Sequence, residues 1–254
     1  MINAIIQVDH LSKSFHVGKQ DVPVLKDISF EVNQNDFCVI FGPSGCGKST
    51  LLHTILGLEA PSTGTCLFLT KNLYAGMDED QRSDFRKNHV GMVYQQPNWI
   101  KSLTVVENVA FPLVLMGRLK SESLEKAHTM LEVMGMGEWS NYAPTELSSG
   151  QQQKVALARA LVTNPEVIIA DEPTGNLDFE SGQELMRLLV TLNRDQAKTI
   201  LMVTHDLEYL TFAKTAVKMF NGTIAGEYGE KDKESLLLEI KGKRGSGTPS
   251  YANT

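Results

Sequence analysis

The chain of 254 residues carries 24 Lys and Arg against 30 Asp and Glu, for a formal charge of -6. It has no basic block long enough to follow a phosphate backbone, so no nucleic-acid partner is expected. No apolar run approaches about 18 residues, and the start lacks a basic segment ahead of a long apolar one, so the expectation is a cytosolic protein held at a membrane only through a partner. Cys38, Cys46 and Cys66 make neither a disulfide framework nor a metal-ligand cluster.

In chain order, residues 5–8 and 29–32 read as short strands flanking a polar link over 16–21, and residues 66–69 as a further strand of an antiparallel sheet. Phe15, ahead of the link, suits stacking on a purine or an ordinary place in the core. The apolar run 37–41 leads into Gly42-Pro43-Ser44-Gly45-Cys46-Gly47-Lys48-Ser49-Thr50, which has the full GxxxxGK[ST] spacing of a phosphate-binding loop between strand and helix. Its glycines let consecutive N–H groups converge on a β-phosphate at the following helix's N-terminus. Lys48 is placed to neutralise β/γ oxygens and the Ser49 hydroxyl to hold Mg²⁺.

Gly57, Pro61 and Gly64 end the loop helix and turn the chain back. Residues 78–87, with opposite charges at helical spacing, suit a solvated helix. Residues 90–94 read as a strand ending at Gln95, whose uncharged amide suits Mg²⁺ or water. From 104 to 136 the apolar spacing predicts helix. Leu147-Ser148-Ser149-Gly150-Gln151 then precedes an amphipathic helix over 152–162, its hydroxyl cap and glycine suiting either a second anion site or a plain helix start.

The continuous apolar run 167–170 suits a doubly buried parallel strand with Asp171 and Glu172 at its carboxyl end. Asp171 is placed to hold the Mg²⁺ bound through Ser49 or its water shell, and Glu172 to orient and polarise an attacking water. The run 199–204 ends in His205, which at that edge suits a hydrogen bond to a γ-phosphate. Asn221-Gly222 marks a hairpin between 217–220 and 223–225, residues 231–241 read as a small surface helix, and 245–250 as a flexible tail. The fold expected is α/β, with ligand at the carboxyl ends of the strands.

Taken together and in this order, the phosphate loop, Gln95, residues 147–151, the run 167–173, Asn176-Leu177-Asp178 and His205 resemble the nucleotide-binding subunits of ATP-binding-cassette transporters. Residues 147–161, 170–178 and 203–206 together resemble most the branch serving lipoprotein-releasing, macrolide- and peptide-exporting and cell-division systems. The resemblance implies a P-loop NTPase core with an antiparallel β-subdomain and an inserted helical subdomain at about 97–161, within a domain over 1–230. It implies ATP and Mg²⁺ as ligands, ATPase activity, a second copy of the subunit, an integral-membrane permease, and a place at the cytoplasmic face of the membrane.

Carried over by residue, it implies that Phe15 stacks on adenine and that Gln95 senses Mg²⁺ and signals to the permease. Ser148, Gly150 and Gln151 would close on the γ-phosphate held by the partner subunit, and Asp178 would link the two sites. Ser149 stands where the family has glycine, Phe15 where tyrosine is usual, and Lys154 where arginine is common. A cell-division type regulator, which drives an extracytoplasmic enzyme and moves no substrate, is the alternative within the branch.

Overall fold

The computed structural model describes residues 4–232 and 235–238. Strands β1 (Ala4–Val17) and β2 (Gln20–Asn33) form a long antiparallel hairpin, paired out to Val17 opposite Gln20. The expected polar link over 16–21 is therefore mostly strand, turned only at Gly18 and Lys19. Polar side chains persist there because this end of the hairpin is exposed, and β2 is an edge strand, where Pro23 removes no donor the sheet needs. After β3 (Phe37–Phe41) and α1 (Lys48–Ile55), β4 (Thr63–Phe68) and β5 (Lys71–Asn72) complete a four-stranded sheet in the order β2-β1-β4-β5.

Helix α2 (Glu79–His89) starts on a capping box in which Asp78 and Gln81 exchange side-chain and backbone hydrogen bonds. It runs into β6 (Val90–Tyr94). The stretch expected to be helical from 104 to 136 is two helices, α3 (Val105–Leu115) and α4 (Lys120–Val133), because Gly117 takes a φ of 79° between them. Helix α5 (Ser149–Leu161) begins three residues earlier than its apolar pattern, at the Ser148 cap. Then follow β7 (Val167–Asp171), α6 (Phe179–Gln196), β8 (Thr199–Thr204), β9 (Thr215–Phe220) and β10 (Thr223–Tyr228). Residues 235–238 are helical with Leu236 buried; the rest of the helix expected over 231–241 and the tail at 245–250 lie wholly or partly outside the described residues.

The second sheet has the order β10-β9-β3-β8-β7-β6, parallel throughout except for the β9–β10 hairpin. Both its faces are covered, as a mainly parallel sheet requires. Alternate side chains of its central strands divide between two cores: Phe37, Val39, Ile168 and Ile200 face helices α3 to α6, while Cys38, Ile40, Ile169 and Leu201 face α1 and the antiparallel sheet. Cys38 is thus strand core, and burial pushes its thiol up to about 12, which keeps it protonated and inert.

Asn108 fixes the loop ahead of α3. It is 1% exposed, accepts from the Ile100 N–H at 3.0 Å, and its amide nitrogen lies within hydrogen-bonding reach of the carbonyls of Ile100, Leu103 and Thr104. Asn108→Ala strands these buried groups, and a loss of about 2 kcal/mol, or a Tm lower by about 4–8 °C, is expected. A thermal melt shifted by less than about 1 °C would show that the amide adds no net stability.

Candidate nucleotide site at the carboxyl edge of the parallel sheet

Strand register decides which residues meet. Phe41 lies opposite Thr204, Asp171 opposite Val203, and Tyr94 opposite Asp171. The four parallel strands therefore end within one residue of each other, and the next residue of each, Gly42, His205, Glu172 and Gln95, emerges along one edge. Three of these positions come from separate βα units, so only the sheet brings them together.

The phosphate loop needs its glycines for room as well as rotation. A Cβ on Gly42 would stand 2.2 Å from the Met219 carbonyl oxygen. Gly47, at φ 103°, would put one 2.9 Å from the Leu25 side chain of β2. The β1–β2 hairpin thus packs directly on the loop. Phe15 lies on that hairpin opposite Val22, half-buried, with the Lys13 ammonium 4.9 Å from its ring centroid. Lys48 is 6% exposed and donates to the Gly42 carbonyl at 2.9 Å and the Pro43 carbonyl at 3.2 Å. Ser44, Gly45 and Ser49 are exposed, Thr50 is half-buried, and Cys46 is buried with its carbonyl accepting from Gly222 N–H at 3.1 Å.

At the end of β7 the two carboxylates diverge, as adjacent residues at a strand end should. Asp171 Oδ1 is buried with no hydrogen-bond partner among the described residues. Its carboxyl is held above the usual range, first by burial and then by the charge of Glu172, against the pull of His53 and Lys48. An acidic oxygen left without a donor beside a phosphate loop suits a hard divalent cation, which favours oxygen ligands. Glu172 turns away. It sits at φ 49°, in the left-handed region that costs a residue other than glycine of order 1 kcal/mol, and is held there by its N–H to Val203 O at 2.9 Å and by its carbonyl accepting from Gly175 N–H at 3.0 Å. One of its carboxylate oxygens meets His205 Nδ1, and the other is 4.0 Å from Lys48 Nζ. A cavity of about 280 Å³ opens beside this pair, with Gly175, Leu177 and Phe179 in its wall.

Gln95 is exposed and reaches across to the segment after β7, where Asn176 donates to its carbonyl at 3.2 Å and a Cβ on Gly175 would stand 2.6 Å from its side-chain nitrogen. Ser148 and Gln151 form a capping box at the start of α5: the Ser148 hydroxyl accepts from Gln151 N–H at 3.3 Å, and the Gln151 side chain accepts from Ser148 N–H at 2.9 Å. The Ser148 side chain is exposed, as is Ser149, while Gly150 is half-buried against Ser181. Asp178 caps α6, accepting from Ser181 N–H and hydroxyl at 2.9 and 2.8 Å, which holds its carboxyl below the usual range. Lys154 pairs with Glu184 at 2.6 Å. The polar residues absent from the sequence-derived site are Asn176, Gln152 and Gln153; the signal for Gln153 is an amide on the otherwise apolar buried face of α5.

A glycine-bounded loop, a buried lysine and two carboxylates at one edge of a parallel sheet define a P-loop nucleotide-hydrolysing protein. Residues 25–175 match the family model described as ABC transporter. The chain is 41% identical over 220 residues to an uncharacterised ABC transporter ATP-binding protein of Methanocaldococcus jannaschii, covering 87% of this chain and 97% of that one. It is 40% identical over 208 residues to the lipoprotein-releasing system ATP-binding protein LolD of Hydrogenovibrio crunogenus, covering 82% and 90%. Among solved structures, the dimeric post-hydrolysis state of the ATP-binding cassette MJ0796, bound to ADP and Pi, superposes with a TM-score of 0.82 at 33% identity, covering 89% of this chain and 98% of that one. The chain belongs to the ABC transporter family, and it is an ATPase of that family with the ABC ATPase fold.

Proposed function

We propose that this ATPase powers an integral-membrane permease of the lipoprotein-release, drug- or peptide-export type from the cytoplasmic face of the membrane. The ends of four parallel strands support the reading most, because they bring Gly42, Glu172, Gln95 and His205 to one edge of the sheet, beside the loop that carries Lys48. Similarity to LolD over most of the chain supports the choice of branch.

In this reading two copies sandwich two ATP molecules, each between the phosphate loop of one subunit and residues 148–151 of the other. Phe15 stacks on adenine, and residues 42–50 cradle the phosphates. Mg²⁺ would be held by Ser49, Gln95 and Asp171, and it neutralises charge on the phosphoryl oxygens when bound. Glu172 orients the water and takes up its proton, His205 donates toward the γ-phosphate, and Lys48 stabilises the charge that develops in transfer. Gln95 and the helical segment at about 97–161 carry the change in shape to the permease, and Asp178 links the two sites.

The test is purification of tagged Glu172→Gln protein from native membranes in mild detergent with ATP, with mass spectrometric identification of what accompanies it. A permease with few membrane helices and a large extracytoplasmic domain is expected. Recovery of an importer permease with many helices, or of ribosomal or DNA-repair proteins alone, would overturn the reading. An outer domain bound to a cell-wall enzyme, with no cargo site of its own, would favour regulation over export.

A further inference from the structure

One side chain joins the three segments that converge on the phosphate edge. Gln153, in the second turn of α5, is 2% exposed, and its amide nitrogen donates to the Tyr94 carbonyl at 2.8 Å and to the Pro173 carbonyl at 2.7 Å. Tyr94 is the residue before Gln95, and Pro173 the residue after Glu172. Both hydrogens of one buried amide are thereby committed to the backbones that aim the two polar side chains proposed to face the γ-phosphate and its water.

The surroundings make this bridge a mechanical link. A cavity of about 270 Å³ lies between Gln95, Gln96 and Pro97 on one side and Ser149 and Gln152 on the other, so the loop after β6 is not close-packed against the start of α5. Polar contacts connect them instead. Trp99 Nε1 donates to Gln152 at 2.8 Å, and Arg159 donates to the Asn98 carbonyl at 3.0 Å while its guanidinium lies 4.6 Å from the Trp99 ring centroid. Of these α5 side chains, Gln153 alone also reaches the segment after β7. A displacement of α5 would therefore act on residues 94–99 through these bonds, and on the backbone next to Glu172 through the Pro173 bond.

We propose that Gln153 is a positioning residue for ATP hydrolysis, which holds Gln95 and Glu172 in one arrangement and ties that arrangement to the helix that begins at Ser148. The proposal rests on the roles given above to Gln95 and Glu172. Hydrolysis by the full-length protein, abolished by Glu172→Gln, fixes that reading first; if Glu172→Gln turns over normally, the site assignment falls irrespective of Gln153.

Gln153→Met keeps the length of the side chain and removes both donors. It is expected to lower kcat between about 10- and 100-fold, with the KM for ATP within about twofold of wild type, since aim is lost and the phosphate cradle is untouched. Gln153→Glu separates positioning from packing. Its ionised carboxylate donates nothing and faces two carbonyls, whereas the protonated acid donates one hydrogen bond, and burial raises its pKa. Its kcat relative to wild type should therefore rise as pH falls from about 8 to about 6. Rates are taken per folded molecule. A Gln153→Met kcat equal to wild type, or a Gln153→Glu profile parallel to wild type, would overturn the proposal, and the glutamate profile decides alone should the methionine variant not fold.

Discussion

Replacement of Glu172 by glutamine is expected to lower the rate of ATP hydrolysis by about 10²- to 10⁴-fold, the usual worth of a positioned general base. The side chain stays the same size, and the amide keeps one oxygen to meet His205 Nδ1. In the role proposed for it, what is lost is the basic oxygen that would take the water's proton and, with it, a negative charge beside the γ-phosphate. Removing like charge weakens repulsion, so ATP affinity should hold or rise. The backbone supports this separation of binding from chemistry, because Glu172 is held at φ 49° by main-chain bonds to Val203 and Gly175 that glutamine leaves intact. Steady-state hydrolysis beside equilibrium binding of ATP reads both quantities. Turnover within about threefold of wild type would remove Glu172 from the proton-transfer role.

Where the chain buries a strand on both faces, its identity and ends are legible from the residues. Runs 37–41 and 199–204 match β3 and β8, because continuous apolar sequence is bounded by polar turn residues. Strand ends along one edge then follow from parallel topology, which is why the phosphate loop, Glu172 and His205 could be assigned to one edge beforehand. Signals failed where burial is one-sided or absent. The hairpin end at 16–21 is polar because it is exposed, and helix α6 has no counterpart among the predicted elements although Leu185, Leu189 and Leu192 recur on its buried side.

The cap at Ser148 is one the residues alone do suggest, a hydroxyl just ahead of a helix, whereas the cap at Asp178 is hidden with the helix it starts. Gln153 is harder. In sequence it is one of three consecutive glutamines, and only the fold shows that one is buried against two carbonyls while Gln152 meets Trp99 and Gln151 closes a capping box.

Ser148→Arg carries the second large expected effect, and its geometry is the more informative. The hydroxyl caps α5 through Gln151 N–H, so its removal costs about 1 kcal/mol of stability, and a cation at a helix N-terminus opposes the helix dipole. Neither cost unfolds a domain of this size. Turnover should nevertheless fall by at least about 100-fold, because a long charged side chain stands where the partner's γ-phosphate is to be enclosed. Binding of ATP to the subunit's own phosphate loop should be unchanged.

Mixing experiments separate this arrangement from a role within one subunit. Lys48→Met removes the ammonium from the phosphate loop and is expected to be inactive alone. In a heterodimer of Lys48→Met with Ser148→Arg, both lesions fall in the same composite site if Ser148 acts across the interface, and the other site is intact. An equal mixture then recovers up to about a quarter of wild-type turnover, since half the dimers are mixed and each has one working site of two. If Ser148 served its own subunit's nucleotide, each site of the mixed dimer would carry one lesion and the mixture would stay inactive. Recovery of activity from two dead variants therefore tests the sandwich itself, independently of what the permease moves.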